Sequence, residues 1–245
     1  MRDCAVTPDD YAVLPAAREA RALNTRVRAL ISALGLTSKV QVEDLLDTME
    51  DWRDGSDPWL QVWGVKFGLD GGLEAGATEE PYACDHAFSG TLTWDLGVPV
   101  TIQQPLLHDT AEVEEGFWGP ERVARLFPAR GWLDLGAQVS AGSDFPVGQF
   151  GVMRSVWGLT TRQTVIGVKG PEHAITYDEA LTLHTTQAAR LCGEENLRGT
   201  LTPGRLADRT IWDQDPALCH GDALRDLNPT HTVVGGLLVT PAGMR

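Results

Sequence analysis

The chain has 245 residues, of which 42% are hydrophobic and 22% charged, a composition typical of a globular protein. It has 34 acidic against 20 basic residues, and this net charge of −14 argues against nucleic-acid or anionic-membrane partners, because phosphates require a basic surface. The length matches that of one (β/α)8 barrel, roughly 250 residues, so a single complete barrel would fit.

The termini and cysteines indicate a cytoplasmic protein. The first 21 residues carry charges where a signal peptide needs an apolar run. The longest weakly polar stretch, residues 232–243, is too short to span a membrane. The four cysteines are isolated, which is typical of reduced thiols and not of a disulfide framework or a zinc knuckle.

Two helices are predicted before the first strand. Apolar residues recur at three- and four-residue spacing over 15–34, which predicts an amphipathic helix, and a second helix is predicted over 40–52. Residues 60–67 are rich in β-forming side chains. With a period of two, this strand has one face made by Trp63, Val65 and Phe67 and a second made by Val62, Gly64 and Lys66.

Two later segments, 98–104 and 137–144, repeat the pattern of one apolar face and one small or polar face. Such strands suit a barrel wall, which has helices outside and a lumen that turns polar towards its mouth. They suit equally well three half-exposed strands of an α+β sheet, and the pattern leaves both alternatives open.

Helices are predicted over 120–135, 152–162 and 176–192, the last beginning with a capping box formed by Thr176 and Glu179. From residue 197 onward, short β-runs broken by Pro and Gly predict a small all-β tail. Residues 68–95 show no amphipathic helix, although parallel strands need a crossover connection there. Either the strand assignment is wrong or part of the expected chain is missing at this point.

Lys66 and Asp144 are the candidate functional residues, because each is predicted at the carboxyl end of a strand, where barrel enzymes hold their reactive groups. Asp144 is also an ordinary turn residue in Ser-Asp-x-Pro, and a lysine at such a position commonly extends its charge to solvent or forms a salt bridge. If Lys66 points into a closed lumen, desolvation lowers its pKa, and the neutral amine can form a carbamate, a carboxylate-like metal ligand.

The six histidines form neither an HxH nor an HExxH motif, so they provide no obvious trio of zinc ligands. The glycine-rich run at 68–76 lacks the Gly-Lys-Ser/Thr ending of a phosphate-binding loop, and no G-x-S-x-G motif is present.

Three segments resemble the amidohydrolase superfamily, and within it the amidohydrolase-3 group of metal-dependent hydrolases. These segments are GVKFGLDGG, AGSDFPV and the long ending EALTLHTTQAARLCGEENLRGTLTPGRLADRTIWDQD with HTVVGGLLV. The ending contains the group's G-x-L-x-P-G-x-x-A-D turn, formed by Gly199, Leu201, Pro203, Gly204, Ala207 and Asp208. By this resemblance, Asp144 is the metal-site aspartate of the eighth strand, and Lys66 is the metal-bridging lysine of the fourth.

The resemblance implies an α/β fold: a partial (β/α)8 TIM-like barrel, with strands like the fourth, seventh and eighth, plus C-terminal strands of a small β-sandwich. The implied domains are 1–196 and 197–245. It also implies metal-dependent hydrolysis of a non-peptide carbon–nitrogen bond in a small amide-like substrate, with a divalent metal, zinc, as cofactor. Asp144 is then a metal ligand and the general base and acid, and Lys66 a metal ligand.

The chain departs from the family pattern in its histidines. The HxH pair of the first strand is absent, and His86 and His108 do not lie where the family places its later histidines. In this chain only residue 95 separates residues 90–94 from residues 96–101, whereas the family has a further helix and two strands between these segments. We therefore expect a chain truncated at its N-terminus and lacking a block near Trp94–Leu96, with impaired catalysis. The alternative function is a catalytically inactive remnant or pseudoenzyme; a further possibility is that a second chain supplies the missing histidines.

Overall fold

The computed structural model describes residues 2–34, 36, 38–52, 57–66 and 100–239. These residues form two compact units, one within 2–66 and the other within 100–239. The predictions for Phe67, His86 and the segment 68–95 lie outside the described residues. Within the described ranges, no helix has both the length and the apolar character needed to cross a membrane.

The first unit is a three-stranded parallel sheet with two helices. Its elements in chain order are β1 (Arg2–Val6), α1 (Pro8–Glu19), β2 (Val27–Ser32), α2 (Lys39–Glu50) and β3 (Leu60–Lys66). The strand order is β1-β2-β3, so β2 is central. Each helix begins with a capping box, in which a side-chain oxygen accepts a hydrogen bond from an otherwise unpaired backbone N–H.

The prediction of a helix over 15–34 is wrong. Helix α1 ends at Glu19, and the apolar residues that follow belong to the central strand β2, where Val27, Ala29 and Ile31 are buried. This segment contains apolar residues at the three- and four-residue spacing of a helix and also at the two-residue spacing of a strand. Pairing with a strand on each side decides between them, because both neighbours provide hydrogen-bond partners for the backbone of β2. The second helix is confirmed, and so is the strand predicted over 60–67 for its described residues, Leu60–Lys66.

A β-bulge at Trp63 changes which residues of β3 share a face. Ala29 is paired with Val62 and Leu30 with Gly64, so Trp63 is an extra residue in the ladder. Val62 and Val65 consequently both pack against the core between the sheet and the helices, while Trp63 is 37% exposed. The predicted apolar face containing Trp63 is therefore wrong, because a bulge reverses the alternation of a strand.

The second unit contains a parallel strand pair, a layer of helices and a small antiparallel sheet. Its elements are β4 (Val100–Ile102), α3 (Gln104–Trp118), α4 (Pro120–Ala124), α5 (Ala129–Asp134), β5 (Val139–Ala141), α6 (Val152–Thr161), β6 (Gln163–Thr164), β7 (Gly167–Val168), α7 (Tyr177–His184), α8 (Thr186–Leu191), β8 (Arg209–Ile211), α9 (Asp222–Arg225), β9 (His231–Val234) and β10 (Leu237–Val239).

Most predicted elements of this unit are confirmed. Strands β4 and β5 are parallel neighbours with a helical crossover between them. The single helix predicted over 120–135 is divided into α4 and α5, and α3 before it was not predicted. The helix predicted over 152–162 is α6, and the predicted β-tail forms the antiparallel sheet β10-β9-β8 but also contains the short helix α9. The single helix predicted over 176–192 is divided at Thr185, whose backbone angles are not helical, into α7 and α8. Its predicted capping box is present.

A buried arginine links three parts of this unit. Arg162 ends α6 in a left-handed conformation and is fully buried. Its guanidinium donates hydrogen bonds to the carbonyl oxygens of residues 124, 126, 127 and 169 and to the side-chain oxygen of Gln104. Because burial disfavours the charged form, the pKa of Arg162 falls to about 10, but the group remains a cation at neutral pH.

Candidate functional site

Lys66 is the last residue of β3 and lies on the face of its sheet that the helices do not cover. It is paired in register with Ser32, whereas Val65 is paired with the buried Ile31. Since successive residues of a strand point to opposite faces, Lys66 lies opposite the helix-covered core. Its carbonyl oxygen accepts a hydrogen bond from Ala33 N at 2.8 Å, which holds the carboxyl end of the strand in place.

Asp144 follows β5 by three residues, on a closely packed turn. Its φ of +53° is in the left-handed region, which Asp tolerates better than most residues. Its carbonyl oxygen accepts hydrogen bonds from Val147 N at 2.8 Å and Gly148 N at 3.0 Å. No described residue donates a hydrogen bond or forms an ion pair with its exposed carboxylate, which leaves both oxygens available to a ligand.

Gly148 makes this turn possible, although nothing in the sequence pattern indicated it. A Cβ atom at residue 148 would lie 1.9 Å from the carbonyl oxygen of Ser143, a distance that no side chain can adopt. The turn therefore requires a glycine five residues after Ser143, and the backbone of Asp144 is held by this close approach.

Lys66 and Asp144 belong to different compact units, and they remain predicted site residues. Within the described residues, no three His, Cys, Asp or Glu side chains lie close enough together to hold a metal ion. A catalytic zinc needs about three protein ligands in one place. The described residues by themselves therefore do not fit the metal centre that the sequence resemblance implies.

The described histidines that are partly buried have structural partners. His108 donates a hydrogen bond from Nδ1 to the carbonyl oxygen of Gln163 and meets the ring of Trp157 edge-on. Nε2 of His184 shares a 2.9 Å hydrogen bond with the hydroxyl of the buried Ser155. Burial lowers the pKa of His184 to about 4, so the ring is neutral at physiological pH and joins α7 to α6.

A cavity of about 370 Å³ lies among the helices of the second unit, lined in part by His108, Trp157 and Arg225. The Arg225 guanidinium lies over the ring of Trp157 and is paired with Asp222 and Asp226. The cavity contains neither predicted site residue, and its charged groups are already paired with each other.

Comparison with known proteins agrees with this architecture. The Amidohydrolase family profile matches residues 95–240, more than half of the chain. An N-substituted formamide deformylase from Arthrobacter pascens is 32% identical over 161 residues, which are 63% of this chain and 30% of that protein. The chain thus spans less than a third of this relative's length.

Two solved structures share the fold. Both are uncharacterized metal-dependent hydrolases, one from Pyrococcus horikoshii OT3 and one from Pyrococcus furiosus. The match to the first has a TM-score of 0.76 at 17% identity and covers 93% of this chain and 58% of that one. The match to the second has a TM-score of 0.62 at 19% identity and covers 83% of this chain and 54% of that one. The mixed α/β fold therefore has neighbours among the metal-dependent hydrolases, and the extent of the profile match shows that this chain belongs to the amidohydrolase family.

Proposed function

We propose that this chain takes part in hydrolysis of the carbon–nitrogen bond of a small N-substituted amide, with Asp144 as the proton-transfer group. The observation that carries this proposal is the Asp144 carboxylate, which has no partner among the described residues and is held on a closely packed turn after β5, inside the segment that the family profile matches. The name of the Arthrobacter relative supports an N-substituted formamide as substrate.

The proposed chemistry needs one group that accepts and then returns a proton. Water attacks the carbonyl carbon while the Asp144 carboxylate accepts one of its protons. The carbon–nitrogen bond then breaks, and the protonated Asp144 donates that proton to the leaving nitrogen. The products are a carboxylic acid and an amine, and the carboxylate of Asp144 is regenerated.

The fold supports a more detailed arrangement. We infer that β3, β4 and β5 correspond to the fourth, seventh and eighth strands of a partial (β/α)8 barrel, and that residues 197–245 form the separate sandwich domain. In such a barrel the reactive groups lie at the carboxyl ends of the strands, where both Lys66 and Asp144 are found.

Lys66, as the carbamate that the resemblance implies, is proposed as a ligand of a divalent metal, zinc by resemblance. When bound, such a metal polarises the substrate carbonyl and makes the attacking water more acidic. The described residues do not complete its coordination, so the proton transfer assigned to Asp144 is the part of the mechanism that this chain's own geometry supports.

The absence of a three-ligand cluster among the described residues favours one other candidate, a catalytically inactive amidohydrolase chain. Formate release from an N-substituted formamide, measured with and without added zinc, separates the two. We expect activity in the native protein and a loss of about 100-fold or more in kcat/KM for Asp144→Asn, which keeps the shape of the side chain but removes the base.

The control is Asp213→Asn, which changes another exposed aspartate of the same unit and should leave kcat/KM unchanged. Native protein that releases no formate under either condition would establish the inactive alternative. Equal kcat/KM in Asp144→Asn and the native protein would remove Asp144 from the mechanism.

A further inference from the structure

Two phenylalanines that follow Asp144 are exposed to an unusual degree for large apolar side chains. Phe145 is 63% and Phe150 69% exposed, and Val147 between them is 73% exposed. The two rings meet edge to face, with their centroids 5.5 Å apart. They form an aromatic pair, which consists of Phe145 and Phe150 and lies within six residues of the candidate catalytic Asp144 along the chain.

The backbone beneath the aromatic pair is fixed. The carbonyl oxygen of Asp144 accepts two hydrogen bonds from within the turn, and Phe145 N donates to the hydroxyl of Ser143 at 3.3 Å. The buried Gly148 lies directly against the Ser143 carbonyl. Aromatic rings held on a closely packed turn lose little conformational entropy when they bind a ligand, so their apolar area can be used for recognition.

We infer that the aromatic pair binds the apolar N-substituent of the amide substrate, an inference that rests on the proposed function. Phe145 is the neighbour of Asp144, so the aromatic pair and the carboxylate share one turn. For an amide bound at Asp144, the aromatic pair is the exposed apolar surface in the same short segment that its substituent could contact. The anionic carboxylate and the net charge of −14 disfavour an acidic substituent, and the exposed apolar area of the aromatic pair favours a neutral alkyl or aryl group.

The size of the effect follows from the area available. Transfer of several methylene groups or a phenyl ring from water to an aromatic surface is favourable, and edge-to-face ring contacts strengthen it. Because the aromatic pair covers only one side of a ligand, we expect about a tenfold gain in affinity for a phenyl-bearing substituent over a methyl group.

The test is a ligand-observed NMR titration of the whole protein with N-(2-phenylethyl)formamide and with N-methylformamide. We expect the native protein to bind the first about tenfold more tightly, and this preference to fall below threefold in Phe150→Ala and in Phe145→Ala. Leu135→Ala is the matched control, because it removes another exposed apolar side chain (84%) from the same unit. Thermal melting of each variant verifies that it is folded.

Equal affinity for the two formamides in the native protein, or an unchanged preference in both phenylalanine variants, would overturn the inference. Sedimentation velocity tests self-association: a native dimer that becomes monomeric in Phe150→Ala, with no change in ligand preference, would assign the aromatic pair to an interface between copies and also overturn it. The same spectra detect formate. A preserved ligand preference without formate would refute the proposed catalysis while leaving the binding inference intact.

Discussion

Acidification should destabilise this protein through His184. Burial lowers the pKa of the folded-state ring to about 4, against 6.5 for an ordinary histidine. The unfolded chain therefore binds a proton more readily than the folded one, and stability falls as the pH drops from about 6.5 to about 4. Below about 4 both states are protonated, and His184 adds no further change.

The magnitude follows from the two pKa values. Between pH 7 and pH 5 the His184 ring becomes protonated in the unfolded state but stays neutral in the folded state. This lowers the free energy of unfolding by about 2 kcal/mol. Burial raises the pKa of Glu114, an effect of opposite sign. Subtracting the pH dependence of the free energy of unfolding of His184→Gln from that of the native protein cancels the contribution of Glu114, because Glu114 is present in both.

The assay is urea unfolding followed by tryptophan fluorescence at pH 5, 6 and 7. We expect the free energy of unfolding of the native protein to fall by about 2 kcal/mol more over this range than that of His184→Gln, which can still bond to Ser155 but does not titrate. His231→Gln, which changes an exposed histidine of β9, should behave like the native protein. An identical pH dependence in His184→Gln and the native protein would refute the reasoning.

Two further predictions concern the framework of the second unit. Arg162→Met should lower the free energy of unfolding by about 3–5 kcal/mol, because several buried carbonyl groups lose their donor; urea denaturation measures this, and the exposed Arg209→Met should cost under about 0.5 kcal/mol. Gly148→Ala should cost more than about 2 kcal/mol because its methyl group meets the Ser143 carbonyl. By contrast, Gly116→Ala, in open space on α3, should stabilise by up to about 1 kcal/mol. A Gly148→Ala protein as stable as Gly116→Ala would contradict the close approach.

Parts of the fold and of the site could be predicted because their determinants lie within a few residues. The capping box of Thr176 and Glu179 specifies the start of α7 through contacts three residues apart. The placement of Lys66 at the end of β3 and of Asp144 just after β5 followed from strand periodicity, and the family from motifs spread along the chain. What could not be predicted is the turn chemistry around Asp144, since the role of Gly148 depends on a backbone approach that leaves no pattern in the sequence.

By itself, therefore, the sequence determined the family, the start of α7 and the two strand ends that carry Lys66 and Asp144. Tertiary structure decided the rest. It made residues 27–32 a central strand where apolar spacing predicted a helix, because neighbours on both sides satisfy its backbone. It also introduced the bulge at Trp63 and buried Arg162 and His184. Each of these depends on partners distant in sequence, whose contact exists only after the chain has folded.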